Sequence, residues 1–412
     1  MISKKIDNVR QFTLILTVGS IISNAWRYLF KIIALLLLRN SDYGFLIITI
    51  RTFVIILPFS SFMLHIPLTK EIREAKNEYT LQYTFKNFAF SYSLTSLFSF
   101  ILFLFIGFYF LNFVNILLII FLALSLIFYS FSEFFIGLSN GFNMPIRTVV
   151  IRIMTNLIPG LLALISIFVI FIQNLNSFIL FFGIGYLGSF LVGSYLYKAE
   201  TKKNLSIKNL IEKKKIKENF KKSSFLLSTN FVKNFSVWIV SIFAFSILGD
   251  LSFKIFDLSL MIISAIGIFG NSLTSALNAK QNLKKLNNLK FFKKNIIPII
   301  FFNILIVIFL FLTNLDIIVL TKLLGDVPYE SKLFVRISLH ITIPLIISAY
   351  FGGRILNIGK YDKYMIASIF GVIGALVIFA LALIFNLPYL LLVGLIFEKI
   401  IYSLFLIIFD YY

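Results

Sequence analysis

The sequence predicts an all-α integral membrane protein, with twelve transmembrane helices in two six-helix lobes related by a pseudo-two-fold axis along the membrane normal. Three observations predict it. Hydrophobic residues make up 59% of the 412 residues, against roughly 45 to 50% in a soluble domain. Lysine and arginine collect on every second connector between the apolar runs, and two short patterns recur at nearly the same offset along the chain.

The apolar runs cover residues 11–38, 43–66, 87–111, 114–138, 148–172, 176–197, 224–248, 251–277, 295–320, 333–356, 362–385 and 388–409. Each is long enough to cross a hydrocarbon core of ~30 Å with length to spare for tilt. Helix is the required conformation, because an open strand or loop in lipid leaves backbone donors and acceptors unpaired. Pro58 and Pro344 sit well inside the second and tenth runs and predict kinks there.

The connectors at the N-terminus and at 67–86, 139–152, 198–222, 278–294 and 354–363 carry 28 of the 38 cations, and the alternate connectors carry four, Arg39, Lys254, Lys322 and Lys332. That bias predicts cytoplasmic N- and C-termini in a multi-pass protein of the cell membrane. It also accounts for the net charge of +21, which is read as orientation and attraction to anionic membrane lipids, with no nucleic-acid partner. Cysteine is absent and the two histidines, His65 and His340, stand far apart. No disulfide framework, thiolate chemistry, metal site or cofactor is therefore expected. The short outer connectors leave no room for a soluble catalytic domain, so the chain does not read as an enzyme.

The chain divides into 1–197 (helices one to six), a basic linker at 198–222, and 223–412 (helices seven to twelve). Leu38 to Thr49 (LRNSDYGFLIIT) is echoed by Leu248 to Ser259 (LGDLSFKIFDLS), an offset of 210. Leu138 to Phe142 (LSNGF) is echoed by Leu356 to Lys360 (LNIGK), an offset of 218. Two echoes at nearly one offset argue for duplication. Six spans per copy make the repeats parallel, with a cleft between the lobes as the natural path for a substrate.

Three segments resemble one family. Asp42-Tyr43-Gly44 after the long first span is similar to the "L-x-x-x-D/E-Y-G" turn of polysaccharide flippases, the Wzx-type exporters of the multidrug/oligosaccharidyl-lipid/polysaccharide (MOP) superfamily. Gly137 to Asn156 (GLSNGFNMPIRTVVIRIMTN) resembles their turn into span five, and Gly353 to Tyr361 (GRILNIGKY) their turn into span eleven. The resemblance covers essentially the whole chain. It implies a MATE/MOP-like pair of lobes, functional as a monomer, that alternates between inward-open and outward-open states. Its cargo would be a polyprenyl-(pyro)phosphate-linked oligosaccharide, carried to the outer leaflet for surface polysaccharide or glycan assembly. The alternatives are a cation-coupled multidrug exporter of the same fold and a membrane polysaccharide polymerase or ligase.

Charges inside the spans supply the candidate site. Thr13, Thr17, Ser20, Asn24, Arg27 and Lys31 fall on one stripe of the first helix. Arg27 and Lys31 lie about 16 Å and 10 Å below its outer end, and Arg51 lies about 12 Å below the same surface in span two. An intramembrane cation costs about 2.5 to 3.5 kcal/mol on insertion scales. Guanidinium groups pair bidentately with phosphate oxygens, so a pyrophosphate is the expected partner. Lys31 is the cation best placed to reach the outer headgroups instead. In the second half Lys233 and Asn234 are candidate cleft residues, with Lys233 about 14 Å above the inner surface. Asp257 is expected to pair with Arg336 or to bind a coupling ion. Glu398 is a candidate for Na⁺ or H⁺ coupling, and the adjacent Lys399, about 100° away around the helix, is not expected to pair with it.

Overall fold

The computed structural model describes residues 9–75, 77–200, 211–279, 329–358 and 360–411, with single positions between 297 and 322. Thirteen α-helices are assigned among them. They are α1 (Val9–Leu37), α2 (Asn40–Ser61), α3 (His65–Glu74), α4 (Glu78–Phe110), α5 (Ile116–Gly141), α6 (Pro145–Ser166), α7 (Leu175–Leu196), α8 (Lys213–Ile247), α9 (Asp250–Ala279), α10 (Tyr329–Leu339), α11 (Thr342–Ile358), α12 (Tyr361–Ile384) and α13 (Tyr389–Tyr411). Ten segments of these helices are long and apolar enough to cross a membrane. The 30-residue α9 occupies the eighth expected span. Most of the ninth, 295–320, lies outside the described residues.

Two compact units result. Unit 1 comprises Met1–Leu38 and Thr49–Phe231, and unit 2 comprises Arg39–Ile48 and Val232–Tyr412. The boundaries therefore fall inside α2 and α8. The first turns of α2 pack within unit 2: Gly44 lies against the Phe245 ring, where a Cβ would come within 2.4 Å, and Phe45 meets the same ring edge-on at 5.4 Å.

The sequence echo at offset 210 is also a structural echo. Two residues, Leu38 and Arg39, separate α1 from α2, and two, Leu248 and Gly249, separate α8 from α9. Leu38 N–H donates to Ala34 O at 2.9 Å and Leu248 N–H to Ala244 O at 2.9 Å. Tyr43 N–H to Arg39 O and Phe253 N–H to Gly249 O open the following helices. Each junction thus satisfies the orphaned groups of two helix ends with one short set of bonds.

Two of the expected spans are discontinuous. The second breaks at Phe62–Leu64, beyond Pro58, where Phe62 and Met63 take φ of 47° and 54°. Two consecutive residues in the left-handed region cost about 1 to 3 kcal/mol each and persist only where packing enforces them. The carbonyl of Ser60, at the end of α2, accepts hydroxyls from Thr95 (2.7 Å) and Ser130 (2.6 Å). Pro67 then falls in the first turn of α3, where its missing N–H costs nothing. The tenth span breaks at His340–Ile341, with Pro344 in the first turn of α11.

Packing in unit 1 follows faces that periodicity alone does not single out. Beside the polar stripe of α1, Gly19 lies against Val149, and Ser23 donates to Arg152 O at 2.9 Å and accepts from Asn156 at 2.8 Å. Gly160 of α6 touches Trp26 of α1. At Gly185 of α7 an added Cβ would stand 2.2 Å from the Thr155 carbonyl of α6. The aromatic core of the unit gathers Phe85, Phe88, Tyr92, Phe134 and Tyr197.

The end of the basic segment is part of α8. No glycine or proline interrupts Lys213 to Ile247, so the helix continues from the lysine run into the apolar span. Its start is held within unit 1: Tyr83 donates to Glu212 at 2.7 Å, Glu212 N–H to Asn87 Oδ1 at 2.9 Å, and Lys215 pairs with Glu71 at 2.7 Å.

Candidate functional site

In unit 1, α1 carries Arg27 at an exposed position in the second half of the helix. Its partner is the neighbouring Tyr28, with Nη2 at 3.5 Å from the phenol oxygen and the guanidinium 5.3 Å from the ring centroid. Lys31, one turn on, is buried at 8% exposure. Of the two cations, Arg27 is the exposed one. Asn24 spends its amide on its own helix, donating to Ser20 O at 2.8 Å, as amides in helix interiors tend to do. Arg51 is half-buried in α2 with its Nε enclosed.

A second group of charges, which sequence spacing did not connect, lies at the α2–α3 break. His65 Nδ1 stands 3.3 Å from Glu133 Oε2, and the Arg152 charge of α6 acts on the same imidazole. Among the described residues the Arg152 guanidinium has no hydrogen bond or ion pair. Nearby connectors carry their own pairs: Arg147 with Glu200 at 3.4 Å, and Arg73 with Asn140 O at 3.0 Å. Arg147 also lies 4.8 Å over the Tyr197 ring, and Tyr197 donates to Ser139 at 2.8 Å.

In unit 2, Lys233 and Glu398, nominated separately, belong to one cluster. The Lys233 ammonium donates to Tyr364 at 2.8 Å and Tyr402 at 3.3 Å and lies 4.6 Å and 4.8 Å from their ring centroids. Both contacts are with phenols, and no carboxylate pairs with Lys233 among the described residues. Ser236, one turn further along α8, donates to Glu398 at 2.7 Å. Lys399 pairs with the other oxygen of the same carboxylate. The expectation that these neighbours cannot pair is corrected here: the four-carbon lysine stem bridges the ~100° between adjacent positions. The cluster of half-buried Lys233 and Lys399 around the buried Glu398 therefore holds two cations and one anion. Its position follows from the α-helical repeat, which sets Lys233 with Ser236 and Glu398 with Tyr402 on common faces.

Asp257 is fully buried and accepts from Tyr43 at 2.8 Å. Lys254 lies 5.6 Å from the centroid of the same ring. The tyrosine of the Asp42-Tyr43-Gly44 turn is thus a partner of Asp257, 214 residues away. Arg336 donates to the Asn314 side chain, and the helix break separates Arg336 from His340. Asn234 is half-buried beside Lys233. No group of three metal-ligating side chains occurs among the described residues.

No known family pattern matches the sequence, and no curated protein matches it either. Solved structures do. The crystal structure of the eukaryotic MATE transporter AtDTX14 superposes with a TM-score of 0.68 at 14% identity, covering 98% of this chain and 95% of that one. The outward-facing conformation of a multidrug resistance MATE family transporter of the MOP superfamily gives 0.69 at 11% identity, covering 99% and 98%. A MOP superfamily transporter from Pyrococcus furiosus, described as having a binding pocket of reverse polarity that suggests a different function, gives 0.64 at 12% identity, covering 99% and 98%. A multi-pass membrane protein by its apolar helices, the chain has the fold of the MATE transporters of the MOP superfamily.

Proposed function

We propose that the chain is a transporter of an anionic amphiphile, a flippase moving a polyprenyl-(pyro)phosphate-linked oligosaccharide from the cytoplasmic to the outer leaflet. One observation carries the reading: Arg27 in unit 1 and Lys233 in unit 2 lie deep in membrane-length helices, and their partners are phenols, not carboxylates. Tyrosine hydroxyls and rings hold a cation in place without cancelling its charge. A charge kept uncancelled at that cost is suited to an anionic group that arrives and leaves. Phosphate oxygens supply it, with Arg27 offering a fork and Lys233 a point charge. Lys31, Arg51 and Asn24 complete the proposed set in unit 1, and Asn234 stands beside Lys233 in unit 2.

The second reading is a cation-coupled multidrug exporter, favoured by the multidrug resistance MATE family transporter that shares this fold. For that function carboxylates would be needed to meet cationic drugs, and in unit 2 Glu398 is already paired with Lys399 and Ser236. A membrane polymerase or ligase is the reading the short outer connectors favour least.

Complementation of a flippase-deficient strain, scored as surface glycan, tests the proposal. Wild-type protein is expected to restore export, and the double substitution Arg27→Ala, Lys233→Ala to abolish it at normal membrane abundance. Restored export by the double variant removes the phosphate site. Failure of the wild type together with raised resistance to cationic drugs moves the exporter reading to the front.

A further inference from the structure

We propose that Arg354, Lys360 and Lys363 form a binding site for a phosphate group, that of a membrane lipid, where α11 and α13 end and α12 begins. None of these residues belongs to the set proposed for transport, so the outcome of the complementation assay leaves the site untouched.

The argument starts from an arginine with too few partners. Arg354, near the end of α11, is 6% exposed. Its ion pair is with Asp410 in the last turn of α13, through Nη2 at 3.2 Å, the two side chains being only 7% and 2% exposed. The Tyr350 ring, one turn earlier, lies 5.9 Å from the guanidinium. Nε and Nη1 are enclosed and meet no acceptor among the described residues. A guanidinium carries five N–H groups, and enclosed donors are nearly always served by protein, water or an ion. One carboxylate oxygen leaves most of this guanidinium unserved. The pairing is loosely directed as well, since Asp410 Oδ1 is enclosed without a hydrogen bond.

Two lysines stand around the same helix end. Lys360, at the N-cap of α12, donates to Phe409 O at 3.5 Å, and the Lys363 ammonium lies 5.6 Å from the Phe409 ring centroid. Neither pairs with a carboxylate among the described residues, although the Lys360 charge also acts on Asp410. Three cations thus face one buried carboxylate, Asp410, and one exposed carboxylate, Asp362. A lysine beside the carbonyl end of α13 complements its dipole. That accounts for Lys360 and leaves the enclosed Arg354 donors unexplained.

Depth identifies the missing acceptor. The membrane-length segments that meet here end at Ile355, begin at Asp362 and end at Asp410, so all these charges lie where hydrocarbon gives way to headgroups. The anion abundant at that level is a phosphate ester, and basic pockets between membrane helices hold such groups. Its several oxygens can serve a guanidinium and two ammonium groups together, with the charge that a water lacks. In the structure the last turn of α13 closes over the guanidinium, and helix ends open at low cost. The phosphate meets Lys360 and Lys363 first and reaches Arg354 as that turn opens.

Binding to the full-length protein in neutral detergent tests the site. Native mass spectrometry follows the first bound dioleoylphosphatidylglycerol, with dioleoylglycerol as the phosphate-free control. Wild type is expected to hold the first and not the second. Lys360→Gln with Lys363→Gln should weaken retention about tenfold. Arg354→Gln with Asp410→Asn, which leaves no buried charge unpaired, should weaken it at least as much. Lys213→Gln with Lys214→Gln, exposed lysines of α8, should leave it unchanged. Inorganic phosphate distinguishes the source of the group. Displacement of the phospholipid by phosphate alone shows a site for the bare ion, and retention in its presence shows a lipid site; each supports the phosphate chemistry. Thermal unfolding of each variant checks its fold, and the exposed side of the site, the lysine pair, carries the test if the Arg354–Asp410 variant does not fold. Equal retention of the two lipids by wild type, undiminished retention in the lysine pair, or an equal loss in the α8 control each overturns the proposal.

Discussion

At the scale of single residues, what a cation touches says more than how deeply it sits. Glu398 is 2% exposed and is compensated by Lys399 and Ser236, so removing one cation should expose the cost of burying the carboxylate. Lys399→Ala is predicted to destabilise the protein by up to about 3 kcal/mol, because an uncompensated buried charge is left behind. A thermal shift in detergent reads the loss, and adding Glu398→Gln should recover most of it. Lys233→Ala should instead leave stability nearly unchanged while reducing export, since phenols need no counter-charge. Lys233→Arg is expected to keep part of the activity, the planar guanidinium fitting poorly between two rings that hold a compact ammonium. None of these partnerships could be read from spacing. Tyr364 and Tyr402 lie 131 and 169 residues from Lys233, and helical periodicity reports only neighbours on one helix.

At the scale of elements, the apolar runs were legible because hydropathy is a one-dimensional signal, and the faces between helices were not. The polar stripe Ser20, Asn24, Arg27, Lys31 stood out in α1, yet the face at Gly19, Ser23 and Trp26 is the one packed on α6. Glycine and serine there carry little hydropathic contrast, and they allow close approach because they are small. The break at Phe62–Leu64, beyond Pro58, was illegible for a similar reason, because it depends on hydroxyls of α4 and α5 that bond the Ser60 carbonyl. Close approach makes a prediction at α7. Gly185→Ala would press its methyl against the Thr155 carbonyl and should cost about 1 to 3 kcal/mol. Gly249→Ala meets nothing within 4 Å and should be neutral or stabilising by less than about 1 kcal/mol. Melting temperatures of the two variants in the same detergent compare them directly.

At the scale of the whole molecule, the distribution of charge carries an argument that the helices by themselves do not. Of the 38 cations, 28 fall on one alternating set of connectors, and short loops rich in lysine and arginine stay on the cytoplasmic side. The strongest single contribution is the 198–222 segment with ten lysines. Its helical part is tied down by Lys215 to Glu71 and by Glu212 to Tyr83 and Asn87. Those contacts place it against the α3–α4 region, itself rich in cations, so both share one side of the membrane. A reporter inserted after Lys214 is therefore predicted to read as cytoplasmic, together with reporters at both termini. Replacing the ten lysines of 198–222 by glutamine should weaken this bias and yield a fraction of molecules with mixed topology, because the remaining 18 cations still outnumber the four opposite. An extracytoplasmic signal at Lys214 in the native sequence would reverse the orientation, and with it the direction of the proposed transport.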